Sequence, residues 1–137
     1  MKPAVREQDV LNQILRTLGV VPSIRLWRAN VGVGVPYAAV QAALAALRAG
    51  NPAGAYGILS AARPVTFGVP GQADLTGILR SGQRLEIEVK SDVGRQSADQ
   101  RSYQAMIERL GGRYILARSV ADVDFLADLR LSDDHHE

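Results

Sequence analysis

Apolar residues recur at helical spacing in several segments of the chain. Leu11, Ile14 and Leu18 predict an amphipathic helix over residues 4–18, which Gly19 ends. The same kind of stripe, followed in one case by Gly111, predicts three more helices. These cover residues 37–49, 97–110 and 119–129.

Strand-like segments lie between these helices, at residues 24–31, 73–80, 84–90 and 113–118. Ser81–Gly82 predicts a hairpin between the second and third strands. The segment 32–36 should break the first strand, and residues 51–63 show no strong period, so we expect residues 36–62 to form a helical insertion. The order predicts an α/β fold, with a mixed central sheet flanked by helices, in a single domain over residues 1–137.

Composition narrows the class of protein. The chain has 137 residues, 47% of them hydrophobic, which suits one domain with a real core. It has no Cys, which excludes disulfides and thiolate metal sites. The charged N-terminus does not resemble a signal peptide, and no apolar run reaches the roughly 18 residues that span a bilayer. We therefore expect a cytoplasmic protein, bacterial or phage-encoded, without a membrane partner.

The charge balance leaves two interpretations open. The formal net charge is only +2, although the sequence pI is about 9.3. Fourteen of the sixteen basic residues are Arg, which suits phosphate binding but also follows from the codon usage of GC-rich genomes. Lys90 is the only Lys beyond position 2.

The segment 84–90 carries the candidate chemistry. Its alternation places Glu86, Glu88 and Lys90 on one face of a strand. A solvated charged face is the simpler interpretation of this strand alone. Asp74 changes the balance, because the hairpin brings it roughly opposite Glu88 and Lys90. Two carboxylates and an ammonium group then converge, a set that suits Mg²⁺. Asp74 could equally bond the turn backbone.

The series GVPGQADLTGIL, then LEIEVKS, resembles the PD-(D/E)xK nuclease superfamily, although Ala73 stands where its Pro would adjoin the Asp. The continuation KSDVGRQSADQRSY is more narrowly similar to VRR-NUC domains. The resemblance covers residues 5–31 and 63–129 and implies a restriction-endonuclease-like fold. It also implies a catalytic set of Asp74, Glu88, Lys90 and Gln100, and a metal held by Asp74, Glu88 and the backbone carbonyl of Val89.

Three positions keep two interpretations each. Glu7 continues the helical stripe of Leu11 and is expected at the metal, but it is also a first-turn acid that favours the helix dipole. Gln100 is either a supporting residue near the substrate or the N3 residue of a capping box with Ser97. Glu86 competes with Glu88 on geometry, and only the E-V-K spacing of the resemblance selects Glu88.

Basic and polar residues around these segments are candidate DNA contacts. Arg28 and Asn30 match an Arg-x-Asn-x-Gly segment of the family and could bind phosphate or make structural hydrogen bonds. Arg63, Arg95 and Arg101 could hold the DNA backbone, although each could be a plain surface residue. Tyr103 comes one residue early for a related nuclease pattern, so we expect it in the core.

These observations predict a DNA endonuclease that uses Mg²⁺, with Mn²⁺ as a substitute. No sequence-reading module is recognisable, so we expect selection by DNA structure, such as flaps or junctions. The similarity to stand-alone junction resolvases implies a role in DNA repair and a homodimer, with the insertion as dimer contact or lid. RNA is a further possible substrate. The alternative is a non-catalytic nucleic-acid-binding protein, or an assembly subunit, on the same fold.

Overall fold

The computed structural model describes residues 5–129. Five α-helices and six strands follow one another, with a 3-10 turn at Val120–Asp122 before the last helix. The helices are α1 (Glu7–Leu18), α2 (Tyr37–Arg48), α3 (Pro52–Ala61), α4 (Ala98–Arg109) and α5 (Phe125–Asp128). The strands are β1 (Ile24–Arg28), β2 (Gly32–Gly34), β3 (Val65–Phe67), β4 (Leu75–Leu79), β5 (Arg84–Val89) and β6 (Arg113–Ala117).

The larger sheet has the strand order β1-β4-β5-β6. The strands β1, β4 and β5 are antiparallel neighbours, and β6 is parallel to β5. The hairpin predicted at Ser81–Gly82 joins β4 to β5, and Gly82 adopts a φ of 85° there. The expectation of a mixed sheet with helices is confirmed at this level of detail.

One face of this sheet carries the main hydrophobic core. Leu85, Ile87 and Val89 point into it from β5, and Ile14 and Leu18 pack on them from α1. The alternation predicted for residues 84–90 is therefore present. Burial of such side chains stabilises the fold by about 1.5–3 kcal/mol each.

The opposite face carries the polar residues of β5 and is partly covered by α4. Tyr103 and Ile107 of α4 pack with Ala73 and Tyr114 in a second, smaller cluster. Tyr103 is thus a core residue, as predicted. Gly71, which precedes β4, has a φ of 76°, and a Cβ there would lie 2.2 Å from the backbone oxygen of Asp99.

Residues Asn30–Val69 form a compact unit of their own, separate from the unit that contains residues 5–29 and 70–129. In it, β2 pairs with β3 and α2 packs against α3. Asn51 caps α3 by accepting a hydrogen bond from the Gly54 amide at 2.9 Å.

Several predicted boundaries were wrong. The segment 32–36 contains a strand instead of only a break, and the aperiodic segment 51–63 contains α3. The first strand ends at Arg28 instead of residue 31, and residues 119–129 form a 3-10 turn and a short helix. The predicted start of the first helix, at residue 4, lies outside the described residues. Within the described part, every helix is too short or too polar to cross a membrane.

Candidate active site

Asp74 lies where β4 begins, next to the end of β5. Its backbone oxygen accepts a hydrogen bond from the Ala29 amide at 2.9 Å, so the strand pairing with the β1 side continues through it. Its side-chain Oδ2 accepts a hydrogen bond from the Val89 amide at 2.8 Å. Asp74 therefore accepts from the backbone of β5 and not from the turn backbone. This hydrogen bond fixes its carboxylate beside Glu88.

Glu88 is buried, with 2% of its surface exposed. Its Oε1 accepts a hydrogen bond from Gln100 Nε2 at 2.7 Å and lies 3.3 Å from Lys90 Nζ. Its Oε2 is buried and has no hydrogen-bond partner in the described part of the chain. A buried carboxylate oxygen without a donor is costly, so this atom marks an unsatisfied position in the site.

The surroundings of Glu88 disfavour its charged form. Burial raises the pKa of Glu88 to about 7, and the adjacent Asp74 carboxylate adds to the rise through its charge and a hydrogen bond. Lys90 opposes the rise without cancelling it. The site thus holds two carboxyl groups and one ammonium group, which leaves an excess of negative charge when both acids are ionised.

The side-chain amide of Gln100 makes two contacts: its oxygen caps helix α4, and its nitrogen donates to Glu88. Its Oε1 accepts a hydrogen bond from the Ser97 amide at 2.8 Å, and Ser97 Oγ accepts one from the Gln100 amide at 3.2 Å. This is the predicted capping box at the start of α4. Its Nε2 remains free to donate to Glu88. The capping interpretation is confirmed, and the same side chain contacts Glu88, whereas a role of Gln100 near the substrate stays a prediction.

Glu7 does not continue the buried stripe of α1, and that expectation was wrong. Its side chain is exposed because the first turn of α1 precedes the buried residues, which begin at Val10. Its Oε1 accepts a hydrogen bond from the Ser91 amide at 2.7 Å, directly after β5. A Cβ added to Gly94 would lie within 3.4 Å of both Glu7 Oε1 and Lys90 Cδ. Glu7 thus sits at the edge of the site, on the Lys90 side.

Glu86 is fully buried, which contradicts the interpretation of this strand face as solvated. Its Oε1 accepts hydrogen bonds from Thr76 Oγ1 and Arg84 Nε, both at 2.6 Å. Its Oε2, like that of Glu88, is buried without a hydrogen-bond partner among the described residues. The geometric ambiguity between the two glutamates is thereby reduced, since Glu86 is bound to Thr76 and Arg84 whereas Glu88 faces Asp74 and Lys90.

Tyr114, Gln96 and Arg118 also surround the site and were not predicted. Burial raises the pKa of Tyr114 to about 12, while a hydrogen bond from Gln96 Nε2, at 3.2 Å, opposes the rise. Arg118 donates from one nitrogen to the carbonyl oxygens of Ser91 and Gly94 and so holds the loop after β5. For Arg118 the sequence signal was its place at the end of β6, the strand parallel to β5.

The candidate DNA contacts belong to the two different units of the chain. Arg28 donates to Asn12 Oδ1 at 2.5 Å, which is the structural hydrogen bond considered for it. Arg101 is exposed and donates to the Gln96 carbonyl at 2.8 Å, while Arg95 is exposed on the loop before α4. Asn30 and Arg63 are exposed residues of the separate unit Asn30–Val69.

The donor chemistry of Asp74 and Glu88 fits a Mg²⁺ ion. Mg²⁺ is typically held by one or two carboxylates and keeps several waters. The unpartnered Oε2 of Glu88 and the excess negative charge are the features that a divalent cation would satisfy. Within residues 5–129, no group of three or more His, Asp or Glu side chains is close enough to hold a metal by itself. Glu7 accordingly stands apart from the two central acids.

Comparison of this chain with protein-family models, with curated proteins and with solved structures found no match.

Proposed function

We propose that this protein is a Mg²⁺-dependent DNA endonuclease that hydrolyses phosphodiester bonds at Asp74, Glu88 and Lys90. The proposal combines the resemblance of residues 67–119 to VRR-NUC domains with the grouping of these three side chains. The single observation that carries it is the grouping of the buried Glu88 carboxylate with a second acid, Asp74, and with the Lys90 ammonium 3.3 Å from Glu88 Oε1.

A structural role for Glu88 accounts poorly for this arrangement. Glu86 also has a buried Oε2 without a partner among the described residues, but Thr76 Oγ1 and Arg84 Nε both lie 2.6 Å from its Oε1, so a guanidinium balances its charge. The balance at Glu88 is different. Lys90 lies 3.3 Å away on one oxygen, while Asp74 disfavours ionisation from the other side. The missing positive charge is the one that a bound divalent cation supplies.

In this proposal Asp74 and Glu88 hold the ion, together with the Val89 carbonyl that the family resemblance implies. A bound Mg²⁺ lowers the pKa of a coordinated water and offsets charge on a phosphate oxygen. By its hydrogen bond to Oε1, Gln100 would orient the Glu88 carboxylate that would hold the ion. Lys90 would stabilise negative charge that develops at the phosphate. Glu7 holds the Ser91 amide and thereby the end of the strand that carries Lys90.

The alternative of a non-catalytic nucleic-acid-binding protein is less favoured by the same charges. Two carboxylates near a DNA backbone repel phosphate unless a cation lies between them. A surface that only bound DNA would gain from their replacement by neutral residues. Selection of flap or junction DNA and action as a homodimer remain parts of the proposal that rest on the family resemblance alone.

The test is a cleavage assay on linear, flap and four-way-junction DNA, with RNA as a further substrate. Each is incubated with Mg²⁺, with Mn²⁺ and with chelator, using wild type and Lys90→Ala. Arg109→Ala is the matched control, because it also removes one positive charge but lies in the last turn of α4, far from Gln100. We expect Lys90→Ala to lower the rate by about 100-fold or more and Arg109→Ala to leave it unchanged.

Three results would contradict the proposal in distinguishable ways. Binding without cleavage by wild type would favour the non-catalytic alternative. Cleavage that persists in chelator would remove the metal from the mechanism. Equal cleavage by wild type and Lys90→Ala would show that Lys90 has no catalytic role.

A further inference from the structure

The sheet face that carries Asp74 and Glu88 continues onto β1, whereas α4 packs against β6 at the opposite edge of the sheet. Opposite residues of antiparallel neighbours share a face, and the register pairs Trp27 with Thr76 and Arg25 with Ile78. Thr76 in turn lies opposite Glu86. Trp27 is therefore one strand across from Asp74 and about 7 Å along the sheet from it.

This part of the face is apolar and open. Trp27 is 48% exposed and Ile78 is 46% exposed. Thr76, which lies between these two residues and Glu86, is buried. A tryptophan offers a large flat surface and normally covers it when nothing binds there. An indole that lies half-exposed on a rigid strand is thus available for stacking.

Positive charge surrounds this surface. The side chain of Arg84 is 52% exposed at the end of β5, opposite Ile78. Beyond Ile78, a shallow groove of about 400 Å³ is lined by Arg25, Arg80 and the segment 19–24. In residues 5–129, neither Arg25 nor Arg80 forms an ion pair with a carboxylate, and Arg84 pairs only with Glu86. A flat aromatic ring flanked by arginines is the arrangement that binds single-stranded nucleic acid.

We infer that Trp27, Ile78 and the flanking Arg25, Arg80 and Arg84 form a platform that binds a single-stranded DNA segment beside the proposed active site. A base stacks on Trp27, and the arginines contact the phosphates on either side. This inference rests on the proposed function, because it makes the substrate a strand that is unpaired next to the cleaved bond. It explains why a structure-selective nuclease would favour flaps or frayed junctions over intact duplex.

The test uses Trp27 itself as the reporter, because it is the only Trp in the chain. Full-length protein is titrated with short oligo(dT) in chelator, so that no cleavage occurs, and Trp fluorescence and the anisotropy of labelled oligo(dT) are recorded. A blunt duplex of the same length is the comparison. We expect quenching on binding oligo(dT) and weaker binding of the duplex.

Three variants separate stacking from a general loss of structure. Trp27→Ala and Trp27→Leu should weaken oligo(dT) binding by about 5- to 100-fold, whereas Trp27→Phe keeps an aromatic face and should retain most of the affinity. Phe125→Ala is the matched control, because Phe125 is 43% exposed and lies against Arg113, whose side chain points to the other face of the sheet. It should bind like wild type.

Arg25→Ala should weaken binding of all oligonucleotides and reduce the slope of log affinity against log salt by about one.

The outcomes distinguish this inference from the proposed nuclease activity. Loss of oligo(dT) binding in Trp27→Leu, with no cleavage of any DNA by wild type, leaves the platform intact and refutes the nuclease. The platform alone is refuted if wild type cleaves DNA, oligo(dT) does not quench Trp27, and Trp27→Leu binds oligo(dT) as wild type does. A Trp27 signal that changes with protein concentration without DNA, together with a dimer that Trp27→Leu dissociates, would assign the surface to a second copy and overturn the inference.

Discussion

Replacement of Glu88 by Gln should make the protein more stable at neutral and alkaline pH, although it removes a proposed metal ligand. Gln has nearly the same shape as the protonated glutamic acid and keeps an oxygen that can accept from Gln100. It lacks the charge that burial and Asp74 disfavour. The variant therefore isolates the cost of ionising Glu88 in the folded protein.

The sign of the effect follows from where protons bind. The pKa of Glu88 is raised from 4.5 to about 7 in the folded state, so between these values the folded protein binds more protons than the unfolded chain. Stability then falls as the pH rises through this range, which is the reverse of the behaviour of a salt-bridged carboxylate. At 1.36 kcal/mol per pKa unit, the full loss is about 3 kcal/mol. Most of this loss should appear between about pH 5 and about pH 8.

The assay is urea denaturation of wild type and Glu88→Gln at about pH 5 and about pH 8, in chelator. The difference between the two proteins at each pH cancels the contributions of the other titrating groups. That difference should grow by about 2–3 kcal/mol in favour of the variant as the pH rises. Glu108→Gln, an exposed substitution on α4, is the control and should follow wild type because it leaves Glu88 in place.

Addition of Mg²⁺ provides the second arm of the experiment. A ligand that binds only the folded state stabilises it by an amount that grows with its concentration relative to Kd. At about pH 8, Mg²⁺ should therefore stabilise wild type more than Glu88→Gln. A difference between the proteins that does not change with pH would refute the assignment of a raised pKa to Glu88. Equal stabilisation of both by Mg²⁺ would refute Glu88 as a ligand.

Two further predictions concern the start of α4 and the loop before β4. Ser97→Ala should lower the free energy of unfolding by about 1 kcal/mol through the lost cap and leave cleavage largely intact, whereas Gln100→Ala should lower both, because only Gln100 also binds Glu88. Comparison of urea midpoints with cleavage rates checks this, and parallel losses in both variants would contradict it. Gly71→Ala should destabilise the fold by more than about 1 kcal/mol, because its positive φ and the nearby α4 backbone leave no room for a Cβ. An unchanged urea midpoint would contradict that expectation.

The periodicity of the sequence was sufficient to predict the elements that form the larger sheet. β5 alternates because one face packs on α1, and α4 carries a one-sided stripe because it covers the other face. The unit Asn30–Val69 was not predicted in detail. Its strands are only three residues long, and α3 shows no one-sided stripe because its apolar residues are spread around the helix, with Ala55 buried and Tyr56 and Leu59 exposed. A pattern that assumes one core-facing side cannot identify such a helix.

Strand register was sufficient to predict which side chains of the candidate site lie next to each other on β4 and β5. The hairpin fixes Asp74 beside Glu88, since a two-residue period leaves little freedom once the turn is known. The position of Glu7 could not be obtained in the same way. A helical stripe gives the angle of a residue around the helix but not whether that turn lies over the sheet. The exposure of Trp27 could not be predicted from the sequence either, because it depends on how far α4 extends over the sheet.

The two buried glutamates of β5 provide an internal comparison for the interpretation of the site. Glu86 has an arginine nitrogen and a hydroxyl at 2.6 Å, so Arg84 balances its charge within the protein. Glu88, two residues later on the same face, shares its single cation with a second acid, Asp74. Under the proposed function, a cation from solution would offset the charge at Glu88 and Asp74, and the Trp27 platform would hold the strand to be cut.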